Sequence, residues 1–199
     1  MNETVRHYDL LIEEGNDPVL DPPGLRAYMD KWDGDALTDE LRLTGNEDVL
    51  EIGVGSGRIA VKILPMCRSF CGIDLSPKTI ERAQFHLSAV GSNFSLVCGD
   101  FLDWDSERRF DRIYSSLTFM HIENKDAAVS KAASLLKPGG RFVLSADKST
   151  AEELVCGTRT LKIYPDTPEV IENALTKSGL RLICVRETEF ARIYTAEKI

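Results

Sequence analysis

Three short segments carry the residues whose types and spacing could bind a small ligand. Residues 51–57 read EIGVGSG, and glycines at alternate positions let the chain turn tightly and let a ligand approach the backbone. Glu51, at the start of this turn, favours a ligand group with a positive charge. Asp74 can hold the hydroxyls of a ribose, and Asp100 can accept from an exocyclic amine beside the ring of Phe101. These segments together indicate an adenine nucleoside that carries a cationic appendage.

The glycine spacing argues against NAD. A dinucleotide fingerprint has the form G-x-G-x-x-G, whereas here Arg58 stands where the third glycine would be, and Gly57 comes one residue early. The carboxylate of Glu51 would also repel a pyrophosphate placed at this turn. A nicotinamide oxidoreductase is therefore disfavoured.

The elements that must position these residues alternate after residue 47 between apolar β-branched runs and helical patterns, which is typical of a mostly parallel sheet. Strands are predicted over residues 48–52, 69–75, 93–99, 110–116, 141–146, 181–188 and 191–196. Two residues between the last two strands are too few for a parallel crossover, so the final strand must run antiparallel. We expect a doubly wound, Rossmann-like α/β fold whose seven-stranded sheet has six parallel strands and one antiparallel strand.

The length of 199 residues suits one domain. Residues 1–47 do not share the strand–helix pattern and are predicted to form a helical cap, one or two helices across the carboxyl edge of the sheet. Residues 48–199 are then the α/β core of this one domain. Tyr28 and Trp32 in the cap fit a wall of the pocket and a packed core equally well. The cap and residues 147–165 are the only material for a lid, which favours a small substrate.

Charge and hydropathy exclude several partners. The chain has 32 acidic and 24 basic residues and a net charge of −8, so no field attracts nucleic acid or anionic lipid. The longest run without a formal charge, residues 83–99, contains several polar side chains, so no membrane segment is expected. The first residues lack the apolar stretch of a leader. We therefore expect a cytoplasmic protein that is a monomer or a homodimer.

The cysteines do not form a convincing metal or disulfide pattern. Cys67 and Cys71 lie four residues apart, but a four-ligand zinc site needs two further partners at matching spacing, and the chain has only three histidines. Five cysteines are an odd number, and most lie in apolar stretches. We expect buried thiols and no metal.

Five motifs in order resemble those of the class I S-adenosylmethionine-dependent methyltransferases, in particular the small-molecule, type 11-like members. The motifs are EIGVGSG at residues 51–57, GIDLS at 72–76, VCGDF at 97–101, FDRIYS at 110–115 and LLKPGGR at 135–141. The resemblance covers nearly all of residues 45–199. It implies S-adenosylmethionine as cofactor and S-adenosylhomocysteine as product.

The resemblance also implies roles for individual residues. The positions that it assigns to cofactor binding are Tyr8, Glu51, Gly53, Gly55, Gly57, Asp74, Leu75, Asp100, Phe101 and Ser115. The three glycines would lie along the methionine part, with Glu51 near its ammonium or ordering the turn. Asp74 would hold the ribose. Leu75, Asp100 and Phe101 would lie around the adenine. Ser115 would lie near the methionine moiety, and Tyr8 would reach back from the cap.

The chemistry requires no dedicated catalytic residue, because the sulfonium methyl is already activated and the protein mainly aligns the nucleophile. His121 follows the fourth strand and could act as a base if it faces the pocket; the alternative is a structural histidine. The Asn/Asp-Pro-Pro-aromatic motif for planar amino nitrogens is absent from the sequence. We therefore expect methyl transfer to an oxygen or nitrogen of a small molecule.

Two other functions fit the same cofactor half. A non-catalytic sensor module would bind S-adenosylmethionine tightly and transfer nothing. A protein side-chain methyltransferase would differ only in the cap, where an open, acidic-rimmed groove would favour it. Nothing in the cap identifies the acceptor, because selectivity is grafted onto a common fold.

Overall fold

The structure, a computed structural model, describes residues 2–199. Within that range the strands are β1 Asp48–Ile52, β2 Ser69–Asp74, β3 Phe94–Cys98, β4 Phe110–Ser116, β5 Leu136–Asp147, β6 Glu153–Cys156, β7 Arg159–Lys162, β8 Leu180–Glu187 and β9 Ala191–Lys198. The helices are α1 Glu3–Glu13, α2 Pro23–Met29, α3 Gly34–Leu41, α4 Ala60–Ile63, α5 Pro77–Ser88, α6 Lys125–Leu135 and α7 Pro168–Lys177. Two 3-10 turns, Leu64–Met66 and Phe119–His121, complete the set.

Seven of the strands form one sheet in the order β3-β2-β1-β4-β5-β9-β8. β1 pairs in parallel with both β2 and β4, and only β9 runs against its neighbours β5 and β8. The predicted sheet of six parallel strands and one antiparallel strand is confirmed. The order reverses between β1 and β4, and the crevice beyond the carboxyl ends of such strands is where α/β folds bind ligands.

Local sequence signals explain most helix boundaries. Ser76 caps α5 by accepting from the amide of Thr79, with Pro77 in the first turn, as the sequence predicts. Thr167 caps α7 in the same way. These short-range signals place helices between the strands.

Both faces of the sheet are covered by helices. Val49 and Leu50 are neighbours on β1, and because side chains alternate along a strand they belong to opposite hydrophobic clusters. Leu50 packs with residues of α6 and α7, while Val49 packs with residues of α3 and α4. Central strands buried on both faces make the sheet a rigid base for the residues at its carboxyl edge.

The N-terminal segment forms three helices rather than the one or two expected. Leu37 and Leu41 of α3 are fully buried against the sheet, so α3 belongs to a core layer. α1 lies against α5: the Asp9 carboxylate accepts from the Ser76 hydroxyl at 2.6 Å and from the Lys78 amide at 3.2 Å. α1 and α2 therefore supply the material over the carboxyl edge. No helix in the described part of the chain is long and apolar enough to cross a membrane.

The segment between β5 and α7 contains a hairpin, β6–β7, that the sequence did not predict. Arg159 on β7 reaches α1, where its two terminal nitrogens donate to the Glu14 carboxylate at 2.9 and 2.6 Å. The hairpin therefore contacts the N-terminal helices.

Candidate functional site

A cavity of about 640 Å³ opens at the carboxyl ends of β1, β2, β3 and β4, beneath α1 and α2. Its volume lies in the range of about 300–1,000 Å³ typical of small-molecule sites. Eight of the ten positions predicted to bind cofactor line it: Tyr8, Glu51, Gly53, Gly55, Asp74, Leu75, Asp100 and Phe101. Segments far apart in the sequence are thus brought into one site.

The other two predicted positions lie behind the cavity lining. Ser115 is fully buried, and its hydroxyl donates to the carbonyl of Ile52 at 2.8 Å, which ties β4 to β1 below the floor. Gly57 has a φ of +96°, and a side chain there would contact the backbone of Ala83 on α5. Residues 116–118, directly after β4, line the cavity instead; their position at a strand end was the available signal.

The glycine turn is held against the end of β2. The amides of Gly53 and Val54 both donate to the carbonyl of Ile73, at 2.8 and 3.1 Å. Gly55 has a φ of +53°, and a side chain at this position would have no protein atom within 4 Å. The backbone at Gly55 is therefore open to a ligand.

Asp74 connects this turn to the start of α5. Its carboxylate accepts from the amides of Gly55 and Ser76, both at 2.9 Å, and from the hydroxyl of Thr79 at 3.0 Å. Burial raises the pKa of Asp74, and these hydrogen bonds oppose the shift. An ionised carboxylate has about four acceptor sites, so Asp74 can order the turn and still accept from a ligand hydroxyl.

Glu51 is a buried carboxyl group in the cavity wall. It is 3% exposed, and its Oε2 accepts from the hydroxyl of Tyr114 at 2.7 Å. Burial raises the pKa of Glu51 to about 8, because the charged form loses its hydration. The side chain is thus protonated at neutral pH, and a cation beside it would favour the ionised form.

Arg58 also lines the cavity, but its positive charge is neutralised by a carboxylate that lies outside the cavity lining. The Arg58 guanidinium pairs with the carboxylate of Asp33, which is 1% exposed and also accepts from the Ser116 hydroxyl at 2.6 Å. Burial alone would raise the pKa of Asp33, but the hydrogen bonds from Arg58 and Ser116 lower it overall. Sequence reasoning assigned no role to Asp33, which lies 25 positions from Arg58.

Ser56, inside the glycine turn, has a hydroxyl suited to a ligand. The side chain lines the cavity and is 5% exposed, yet its Oγ has no hydrogen-bond partner among residues 2–199. Buried hydroxyls are rarely left unpaired. Together with the open backbone at Gly55 and the acids Glu51 and Asp74, this fits an amino-acid group joined to a nucleoside.

Tyr8 and His121 form a pair at the side of the cavity. The Tyr8 hydroxyl lies 2.8 Å from His121 Nε2, whereas His121 Nδ1 is buried without a partner in the described chain. Burial lowers the pKa of His121 to about 4 and raises the pKa of Tyr8. The imidazole is therefore neutral near pH 7, and with Nε2 occupied and Nδ1 buried it presents no free nitrogen to the cavity.

Tyr28 and Trp32 lie outside the cavity lining. Their rings pack with Phe190, and the Trp32 indole nitrogen donates to the Asp147 carboxylate at 2.7 Å. Neither aromatic forms a wall of the pocket, and neither belongs to the buried core, since Tyr28 is 47% exposed and Trp32 is half-buried.

Within residues 2–199 no group of three or more His, Cys, Asp or Glu side chains is placed to hold a metal ion. The five cysteines are free thiols, of which Cys67 and Cys71 are buried.

A doubly wound sheet with one antiparallel strand and a glycine turn at its switch point is the architecture of the class I methyltransferase fold. Residues 49–140 match the family model described as methyltransferase domain. The resemblance seen in the five motifs is confirmed over this segment, and the fold of the chain is like that of a solved methyltransferase.

Two curated relatives and one solved structure illustrate the similarity. An uncharacterized methyltransferase of Bacillus cytotoxicus is 36% identical over 100 residues, covering 49% of this chain and 46% of the relative. Protein-L-isoaspartate O-methyltransferase 2 of Shewanella sediminis is 34% identical over 110 residues, covering 54% and 43%. The chain thus spans about half the length of the curated relatives it matches.

The solved structure is N-methyltransferase NodS from Bradyrhizobium japonicum WM9 in complex with S-adenosyl-L-homocysteine. It superposes with a TM-score of 0.75 over 99% of both chains at 21% identity, a likeness of fold.

Proposed function

We propose that this protein transfers the methyl group of S-adenosylmethionine to an oxygen or nitrogen atom of a small molecule. The observation that carries the proposal is one cavity at the switch point that joins the glycine turn and the acids to a second region beneath α1 and α2. A cofactor in the first part would expose its methyl group to an acceptor in the second.

The residues of the first part fit each portion of the cofactor. The open backbone at Gly55 and the unpaired hydroxyl of Ser56 suit the methionine part, and Glu51 suits its ammonium. Asp74 suits the ribose hydroxyls, as its remaining acceptor site allows. Leu75, Asp100 and Phe101 lie together in the lining, where they suit the adenine. Gly57 and Ser115 support this part from behind.

Bound S-adenosylmethionine supplies an activated methyl group, so the protein has to align the nucleophile and exclude water. Alignment of this kind can lower a barrier by about 7–11 kcal/mol. Tyr8 and His121 both line the cavity, and neutral His121 holds the Tyr8 hydroxyl in place through the 2.8 Å contact at Nε2. We assign His121 the role of orienting Tyr8, in place of the role of general base that its sequence position suggested.

The names of two similar proteins agree with this acceptor chemistry without fixing it. NodS is named an N-methyltransferase, and the Shewanella relative is named an O-methyltransferase of a protein residue. The cavity lies beneath two helices rather than in an open groove, which favours a small acceptor over a protein side chain.

Calorimetric titration with S-adenosylmethionine, S-adenosylhomocysteine and NAD in parallel tests the cofactor half. Micromolar binding of both adenosyl compounds without NAD is the expected result, and binding of NAD alone would overturn the proposal. Tight cofactor binding with no methyl transfer across a panel of amines, alcohols and phenols would favour a sensor module.

The substitution Gly55→Val tests the position of the cofactor. The valine side chain would project into the open space beside the turn, so binding of S-adenosylhomocysteine should be lost. Gly139→Val is the matched control, because Gly139 also has a positive φ and open space around it but lies at the start of β5, outside the cavity lining. Equal affinities in the two variants would contradict the proposed site.

A further inference from the structure

The charges that line the cavity are strongly unbalanced. Five acidic side chains line it, whereas Arg58 is the only lysine or arginine side chain in the lining among residues 2–199. The acidic members are Asp21, Glu51, Asp74, Asp100 and Glu123.

Arg58 does not offset this charge, because its guanidinium is paired with the buried carboxylate of Asp33. His121 adds no positive charge either, since burial keeps its imidazole neutral near pH 7. Glu51 is protonated at neutral pH and adds no negative charge, so the imbalance rests on the other four acids. The potential inside the cavity is therefore negative, and an anionic acceptor such as a carboxylate or phosphate would be repelled.

Three of the five acids, Glu51, Asp74 and Asp100, are among the residues assigned to the cofactor. The other two, Asp21 and Glu123, are not. Asp21 and Glu123 form no ion pair with any residue that the structure describes. The Glu123 carboxylate meets only the hydroxyl of Tyr164, at 3.4 Å. Asp21 precedes α2, and Glu123 follows the 3-10 turn after β4. Both line the cavity without belonging to the residues assigned to the cofactor, and Asp21 is half-buried whereas Glu123 is exposed.

Apolar side chains from α1, from the segment around α2 and from the residues after β4 also line the cavity. These are Val5, Pro18, Leu25, Met29, Leu117 and Ile122. Leu25 lines the cavity and is 43% exposed, so its side chain has apolar surface left to cover. Leu117 adopts a φ of +54°, a conformation that a non-glycine residue holds at a cost and that is concentrated at functional sites.

We propose that the acceptor is an aliphatic amine with an apolar substituent, which binds with its nitrogen toward Asp21 and Glu123 and its substituent against the apolar side chains around Leu25. This inference rests on the proposed methyltransferase function and specifies the substrate class of the same cavity.

The reaction balances with solvent as the proton acceptor. An aliphatic ammonium, with a pKa near that of lysine at about 10.4, binds and releases one proton to water at the open mouth. The free nitrogen then attacks the methyl carbon, the carbon–sulfur bond breaks, and its electron pair remains on sulfur. The products are the methylated ammonium and the thioether S-adenosylhomocysteine, and no protein base is required.

Calorimetry with matched probes tests the inference. The full chain, saturated with S-adenosylhomocysteine at pH 7, is titrated with hexylamine and separately with hexanoate, which share the apolar chain and differ in charge. We expect hexylamine to bind at least tenfold more tightly. Its affinity should rise with chain length from butylamine to hexylamine, by up to about fourfold for each methylene that becomes fully buried, and should fall at high salt.

The double variant Asp21→Asn with Glu123→Gln should remove most of the preference for the amine and leave affinity for S-adenosylhomocysteine unchanged. Glu169→Gln is the control, since Glu169 is an exposed acid in the first turn of α7. Equal or tighter binding of hexanoate, no binding of either probe, or an amine preference that survives in the double variant would overturn the inference. Failure to bind S-adenosylhomocysteine in the preceding titration would instead overturn the proposed function.

Discussion

Binding of S-adenosylmethionine should expel a proton from Glu51. The carboxyl group is buried beside Tyr114, Arg58, Asp33 and Asp74, and its pKa is raised to about 8. At pH 6 the group lies two units below that pKa, so ionising it to meet the ligand ammonium costs about 2.7 kcal/mol at 1.36 kcal/mol per unit. At pH 7 the cost is about 1.4 kcal/mol. The dissociation constant should therefore fall about tenfold between pH 6 and pH 7.

Calorimetry in phosphate and in imidazole at each pH measures this proton directly, because the two buffers differ in ionisation enthalpy. We expect the release of close to one proton per cofactor in the native protein. Glu51→Gln is the control, since glutamine keeps an acceptor for the Tyr114 hydroxyl but cannot titrate. A dissociation constant that does not change between pH 6 and pH 7, with no proton released in either buffer, would refute the reasoning.

The same shift has a consequence for stability. The folded chain binds this proton more tightly than the unfolded chain, so the contribution of Glu51 to the free energy of unfolding falls as pH rises from about 4.5 to about 8. Without ligand, Glu51→Gln should therefore raise the midpoint of urea unfolding more at pH 8 than at pH 5. An equal effect at both values would argue against a titrating Glu51.

Three further predictions concern the site and its surroundings, each tested by urea unfolding. Asp33→Asn leaves Arg58 buried without its charge partner and should cost about 3–5 kcal/mol; a loss below 1 kcal/mol would mean that water reaches the pair. Lys125→Met breaks the buried pair with Asp166, at 2.7 Å, and should cost a similar amount, most of which Asp166→Leu should restore in the double variant. Leu117→Gly should be more stable than Leu117→Ala by about 1 kcal/mol, since glycine accepts the positive φ; the reverse order would exclude backbone strain.

Features set by neighbouring residues could be predicted from the sequence. The seven strands of the main sheet, the cap of α5 at Ser76 and the antiparallel last strand all follow from alternation, capping residues and connection length. Eight cofactor positions fall in the cavity lining because each lies in or next to a strand end, apart from Tyr8 on α1. The hairpin β6–β7 was missed because its four-residue strands are too short for the alternation to register.

Features that depend on residues far apart in the sequence could not be predicted from it. Ser115 and Ser116 are adjacent in the sequence, yet one hydroxyl bonds the Ile52 carbonyl beneath the floor and the other bonds Asp33 at the cavity wall. Which serine faces the ligand depends on the direction of β4 relative to α3, which no local pattern states. The Tyr8–His121 pair joins residues 113 positions apart.

The sequence alone determined the fold class and the edge of the sheet where the predicted cofactor-binding residues gather, because these follow from periodicity and strand order, and the resemblance of its motifs implied the cofactor. The tertiary structure decided which groups are charged and which can be reached. The raised pKa of Glu51, the neutral His121 and the Arg58 charge cancelled by Asp33 arise from burial and from partners brought together by folding. Electrostatic energy depends on distance through space and on the exclusion of water, and neither is written in the order of residues.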